Sequence, residues 1–131
     1  MAIEVTREAL EAMRDAAIAA YPREACGIML GEGSRITAFR ETANVHSSPE
    51  THFEIEAQAL IDAHREARTG GPEVLGYFHS HPQGPPEPSP TDIAMAAGDG
   101  KIWAIGNGET ITFWRAAPSV FEPLSYSLTG D

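Results

Sequence analysis

Basic residues are scarce in this chain. Nine Lys and Arg stand against nineteen Asp and Glu, for a formal charge of −10 over 131 residues. Such an excess of acid repels phosphate, so it argues against nucleic acid as a partner and against anionic membrane surfaces. Cysteine is almost absent. Cys26 stands alone, so no internal disulfide can form, and it reads as a small buried hydrophobe rather than a nucleophile. No run of about 18 apolar residues exists, so no membrane span is expected. The opening Met1-Ala2-Ile3-Glu4-Val5-Thr6 has neither a basic nor an apolar signal region. A cytoplasmic protein is the expectation. No internal repeat appears and no boundary separates two cores, so residues 1–131 read as one domain. Also missing are a Gly-x-Ser-x-Gly elbow, a phosphate-binding Gly loop and the paired-cysteine pattern of zinc deaminases.

What is present is an alternation of helical and strand periods. Thr6 reads as an N-cap, with Val5 and Leu10 placed as a hydrophobic staple. Leu10, Met13, Ala17 and Tyr21 recur at helical spacing, and Pro22 ends that helix. Residues 24–30 are an apolar run, read as a buried strand opened by Glu24. A turn at 31–34 leads into a return strand over 35–42. Residues 44–53 read as a loop, with His46 and His52 read as solvated in preference to approaching the site. Ala57, Leu60, Ile61, His64 and Ala67 form a second amphipathic helix, stopped by Gly70-Gly71-Pro72. The spacing predicts a covered strand over 74–81, in which Leu75, Tyr77, His79 and His81 share one face and Gly76 allows a close neighbour. Five prolines in 82–90 exclude helix and central strand there. A short helix over 91–97, a hairpin of 102–105 with 110–114, and a final strand over 120–126 complete a mixed α/β layer fold.

The chemistry gathers at His79-Ser80-His81-Pro82 and Pro88-Ser89-Pro90-Thr91-Asp92. Residues two apart on a strand face the same way, so both imidazoles can chelate one metal. Asp92 can supply a third ligand, leaving the open position of a catalytic zinc site. A rival reading makes Asp92 part of a helix start, with Ser89 as N-cap and Pro90 at the first helical position. The two roles are compatible. A zinc hydrolase also needs a carboxylate that is not a ligand, to take a proton from water. Glu24 is one of several acids that spacing leaves available for this.

Together these residues resemble the JAMM metallopeptidases, the active branch of the MPN domain family. That signature is an upstream Glu, a His-[Ser/Thr]-His-Pro, seven residues, a Ser, two residues and an Asp. Here it reads Glu24, His79-Ser80-His81-Pro82, residues 82–88, Ser89, Pro90-Thr91 and Asp92. The resemblance implies a mixed β-sheet flanked by helices, of the cytidine-deaminase-like MPN type. It implies one Zn²⁺ per chain on His79, His81 and Asp92, with Glu24 as general base and Ser89 as donor to the oxyanion. It further implies hydrolysis after the C-terminal Gly-Gly of a small ubiquitin-like sulfur-carrier protein or its amino-acid adduct. A homodimer stays open. The alternatives are a non-catalytic MPN scaffold, disfavoured because no ligand is missing, and a phage-tail or cell-wall peptidase with the same zinc chemistry.

Overall fold

The computed structural model describes residues 2–130. Met1 and Asp131, the ends of the domain expected over 1–131, lie outside the described residues. The architecture is mixed α/β. The elements are β1 (Ala2–Thr6), α1 (Arg7–Ala20), β2 (Cys26–Glu32), β3 (Arg35–Thr42), α2 (Ala57–Arg68), β4 (Glu73–Ser80), α3 (Pro90–Met95), β5 (Ile102–Gly106), β6 (Ile111–Ala117) and β7 (Val120–Thr129).

β1 is an element that the sequence pattern does not announce. It pairs in parallel with both β3 and β7 and closes the sheet into a barrel in the order β1-β3-β2-β4-β5-β6-β7. Closure removes free sheet edges. Val5 belongs to this strand and is fully buried, while Thr6 caps α1 by accepting from the Ala9 N–H at 3.2 Å. α1 ends at Ala20 because Tyr21 precedes Pro22 and is forced to an extended ψ of 133°. Its buried face, including Leu10, Met13 and Ala17, joins Ile3, Ile36, Phe78 and Phe113 in the main core. None of the helices among the described residues is long and apolar enough to cross a membrane.

β4 is central. It pairs antiparallel with β2 and parallel with β5. A parallel partner requires a crossover, and here the crossover is the proline loop plus α3. Gly76 is where β4 meets β5 most tightly, since a Cβ there would lie 1.7 Å from the Ile102 carbonyl oxygen.

Three expectations need correction. Leu75 does not share a face with Tyr77. The register of β2 against β4 jumps from Met29↔Gly76 to Leu30↔Val74, leaving Leu75 as an extra residue. Such a bulge reverses side-chain parity, so Leu75 packs on the main core while Val74 and Tyr77 pack with Ile28 and Ala63. Glu24 and His81 lie just outside their strands, which begin at Cys26 and end at Ser80. The short helix runs Pro90–Met95 rather than 91–97, starting one residue earlier because Ser89 caps it and ending two residues earlier.

Candidate metal centre

The site sits at the C-terminal end of β4, beside the parallel β4–β5 pair. His79 is fully buried, opposite Cys26 on β2 and Ile105 on β5. Its ring stacks on Phe53 with centroids 4.3 Å apart and meets the edge of Trp103 at 5.5 Å. His81 follows one peptide beyond the strand. Its backbone N–H still donates to the Gly106 carbonyl at 2.7 Å, so it keeps its place beside β5.

Asp92 reaches this pair from α3. Ser89 Oγ accepts from the Asp92 N–H at 3.1 Å, and Asp92 Oδ2 accepts from the Ser89 N–H at 3.0 Å. This reciprocal capping box fixes the first turn and turns the carboxylate toward the histidines. Three contacts then close a triangle. His79 Nε2 lies 3.1 Å from His81 Nε2, His79 Nε2 lies 3.1 Å from Asp92 Oδ1, and His81 Nε2 lies 3.1 Å from Asp92 Oδ2. His79, His81 and Asp92 are all buried and form a group able to hold a metal ion.

Protons satisfy this triangle poorly. If each imidazole donates from Nε2 to the carboxylate, two N–H groups face each other across the His79–His81 edge. One cation facing all three side chains removes that conflict. Tetrahedral zinc with bonds of about 2.0–2.1 Å separates its ligand atoms by about 3.3 Å, close to the spacing present. The tautomer of His81 agrees. Its Nδ1 lies 2.9 Å from the Pro85 carbonyl, which can only accept, so Nδ1 carries a proton and the neutral ring offers its Nε2 lone pair inward. His79 Nδ1 has no partner among the described residues, and its ring is held by aromatic packing instead.

Electrostatics follow from burial and this contact set. Burial pushes His79 down, toward the neutral form that ligates. Burial also opposes charge at His81, but Asp92, the Pro85 carbonyl and Glu24 outweigh it and leave its pKa raised. For Asp92 the burial penalty is overcome by hydrogen bonds from His79 and His81, which hold the carboxyl well below the usual range.

Glu24 is buried, and burial raises its pKa from 4.5 to about 7, with the His81 charge opposing and the Asp92 charge adding to the shift. Its backbone is clamped on both sides. The Glu24 N–H donates to the Pro49 carbonyl at 2.7 Å, and Asn44 Nδ2 donates to the Glu24 carbonyl at 3.0 Å. Ser80 exchanges two bonds with Ala25: its Oγ accepts the Ala25 N–H at 2.8 Å, and its own N–H donates to the Ala25 carbonyl at 3.0 Å. Ser80 therefore faces β2 rather than the triangle, as strand alternation predicts. The serine between the two histidines ties the segment that carries Glu24 to the strand of His79.

Residues outside the motif also shape the site. Phe53 and Asn44 come from the loop before α2, and nothing local in their spacing marks them. Asn44 uses its whole amide, also donating to the His52 carbonyl at 2.9 Å and accepting from the His46 and Glu54 N–H groups at 3.1 Å each. His46 and His52 stack on one another at 4.6 Å in this loop and do not join the triangle. His64 lies on α2 and does not join it either. Cys26 is buried, and burial pushes its thiol up. An apolar cleft of about 480 Å³ opens beside Phe53 and Trp103, with Leu60, Tyr77 and Met95 in its walls.

The chain is similar to known proteins of one family. A family model described as prokaryotic homologs of the JAB domain matches residues 6–117. The desampylase of Haloferax volcanii is 27% identical over 107 residues, covering 80% of this chain and 77% of that protein. A Thermus thermophilus protein named "Probable TtuB-protein conjugate cleaving protease" is 33% identical over 96 residues, covering 73% of this chain and 64% of its own length. A solution structure of a Desulfitobacterium hafniense protein superposes with a TM-score of 0.83 at 26% identity, covering 100% of this chain and 94% of that one.

Proposed function

The chain belongs to the prokaryotic branch of the JAB domain family, and on that premise we propose that residues 1–131 form one zinc-dependent peptidase domain. Its substrate is a small ubiquitin-like sulfur-carrier protein, cut after the C-terminal Gly-Gly where an amino acid or a target amine is attached. The observation that carries the reading is the 3.1 Å triangle of His79 Nε2, His81 Nε2 and the Asp92 carboxylate. Two family members support the substrate class by name, one a desampylase and the other tied to TtuB-protein conjugates.

His79, His81 and Asp92 would hold one Zn²⁺ per chain. When bound, zinc supplies Lewis acidity and lowers the pKa of water from about 15.7 toward about 7. Glu24 takes the proton of the attacking water and returns it to the departing amine. A buried carboxyl with a pKa of about 7 suits both steps near neutral pH. A divalent cation nearby favours its charged form and so tilts it toward the base role. Ser89 Oγ is occupied as an acceptor by the Asp92 N–H, which leaves its hydroxyl proton to donate to the developing oxyanion.

Zinc content and cleavage test the proposal. Purified protein should hold about one zinc, and His79→Ala should lose it. A carrier protein extended beyond Gly-Gly should be shortened to its Gly-Gly end, as read by mass. A zinc-loaded chain that cleaves no member of a carrier panel favours the scaffold reading.

A further inference from the structure

We infer that Thr112 is a positioning residue for the metal centre, acting through the proline loop on the ring of His81. The inference rests on the metal reading above.

Thr112 lies on β6, two strands from His79. It pairs with Ile105, and Ile105 pairs with His79, so the three form one row across the sheet. Residues paired across neighbouring strands point to the same face, which puts the Thr112 hydroxyl on the side of the metal ligands. Its hydrogen bonds are assigned by chemistry. Trp114 Nε1 can only donate, and it donates to Thr112 Oγ1 at 2.9 Å. The threonine proton is then free for an acceptor. The Pro86 carbonyl lies 2.5 Å away and the Ile105 carbonyl 3.3 Å away, so Pro86 takes it.

The next carbonyl back, that of Pro85, is the one that accepts from His81 Nδ1 at 2.9 Å. It also accepts from the Glu87 N–H at 2.9 Å, which closes a three-residue turn around Pro86. Two rotations separate the Pro85 and Pro86 carbonyls. The pyrrolidine ring fixes φ of Pro86, and the turn fixes its ψ. The two carbonyls therefore move as one rigid piece. Gripping the Pro86 oxygen aims the Pro85 oxygen, and that oxygen sets the tautomer and tilt of His81. The chain from Trp114 through Thr112 and the loop thus ends at a ligand atom. Partners of this kind outside the ligand set typically govern metal affinity by about 10- to 100-fold.

Zn²⁺ affinity, read by chelator competition, tests this in the full chain. Thr112→Val keeps the shape but loses the hydroxyl, and it should bind Zn²⁺ at least about tenfold more weakly. Thr112→Ser keeps the hydroxyl and should restore affinity to within a few-fold. The ring ¹⁵N shifts of His81 should show a single Nδ1–H tautomer in the wild type and in Thr112→Ser, and a mixture in Thr112→Val. Trp114→Phe removes the donor behind the hydroxyl and gives a smaller loss in the same direction, which also serves if Thr112→Val does not fold. Affinity and tautomer unchanged in the folded variants would overturn the inference. So would equal losses in Thr112→Val and Thr112→Ser. A wild-type chain that binds no Zn²⁺ would instead overturn the metal reading itself.

Discussion

Glu24→Gln should make the metal-free protein more stable at pH 8 and abolish cleavage by the zinc-loaded one. The folded state raises the Glu24 carboxyl from 4.5 to about 7, chiefly through burial. Between these values the native chain holds a proton that the unfolded chain has released. Stability therefore falls as pH rises through this window, because fewer protons are bound in the unfolded state than in the native one. The full cost is reached above the folded pKa. Moving from 4.5 to about 7, at ~1.36 kcal/mol per pH unit, corresponds to about 3 kcal/mol. Glutamine has nearly the same shape and never ionises, so it escapes this cost. A domain of this size gains roughly 3–5 °C in Tm per kcal/mol, which places the variant about 10 °C above wild type at pH 8. At pH 4.5, where the wild-type carboxyl is protonated in the folded chain, the two should melt within a few degrees. The assay is a thermal melt in chelator at both pH values. A variant that melts at or below wild type at pH 8 would show that Glu24 is not held in a setting hostile to charge. Its assignment as a neutral-pH proton carrier would then lose its physical basis.

Asp92→Asn should separate the two jobs of that residue. The amide oxygen still accepts from the Ser89 N–H, so α3 and the fold should survive by circular dichroism, while zinc per chain drops well below one by elemental analysis. Ser80→Ala should leave the buried Ala25 N–H without its partner, costing about 1–3 kcal/mol in urea unfolding. It should also lower kcat more than it raises KM, since Glu24 precedes that amide. Gly76→Ala would press a Cβ into the Ile102 backbone, which cannot swing aside as a side chain would; the cost should be about 3 kcal/mol or more, visible as a large fall in Tm.

The parts of the fold that sequence periodicity reveals are those decided within one segment. α1, α2 and the β2–β3 hairpin follow from local spacing, caps and turns. So does the approach of His79 to His81, because strand alternation and a two-residue separation suffice. β1 is not legible in the sequence because five residues that close a barrel carry no local mark of their parallel partners β3 and β7. Simple alternation gives Leu75 the wrong face because a bulge depends on register with β2, which the sequence of β4 alone does not contain. Phe53, Asn44 and Thr112 were silent for the same reason. Each reaches the site across 26 or fewer residues of intervening chain by a route that only the folded sheet defines: Phe53 against His79, Asn44 against Glu24, and Thr112 against Pro86.

Asp92 shows why helix capping and the proposed ligation are compatible rather than in competition. A carboxylate has two oxygens and about four lone-pair directions. The capping box uses one of them, on Oδ2, to accept the Ser89 N–H. Oδ2 still faces His81 Nε2 and Oδ1 faces His79 Nε2, each at 3.1 Å. The cap therefore locks the side chain without using up the directions a metal would need. An uncapped aspartate would have to lose its rotamer freedom when the ion arrives, whereas this one has already lost it when α3 forms. Pro90 adds to the same effect, since its fixed φ favours the first helical turn that carries Asp92. Preorganisation of this kind raises metal affinity by removing an ordering cost rather than by adding a contact. On this argument, Ser89→Ala should weaken zinc binding even though Ser89 is no ligand, because Asp92 loses the partner that holds its backbone N–H. Competition with a chelator would read the loss, and Ser89→Thr, which keeps the capping oxygen, should recover most of it. Zinc affinity in Ser89→Ala equal to that of the wild type would mean that Asp92 is aimed by its histidine neighbours alone.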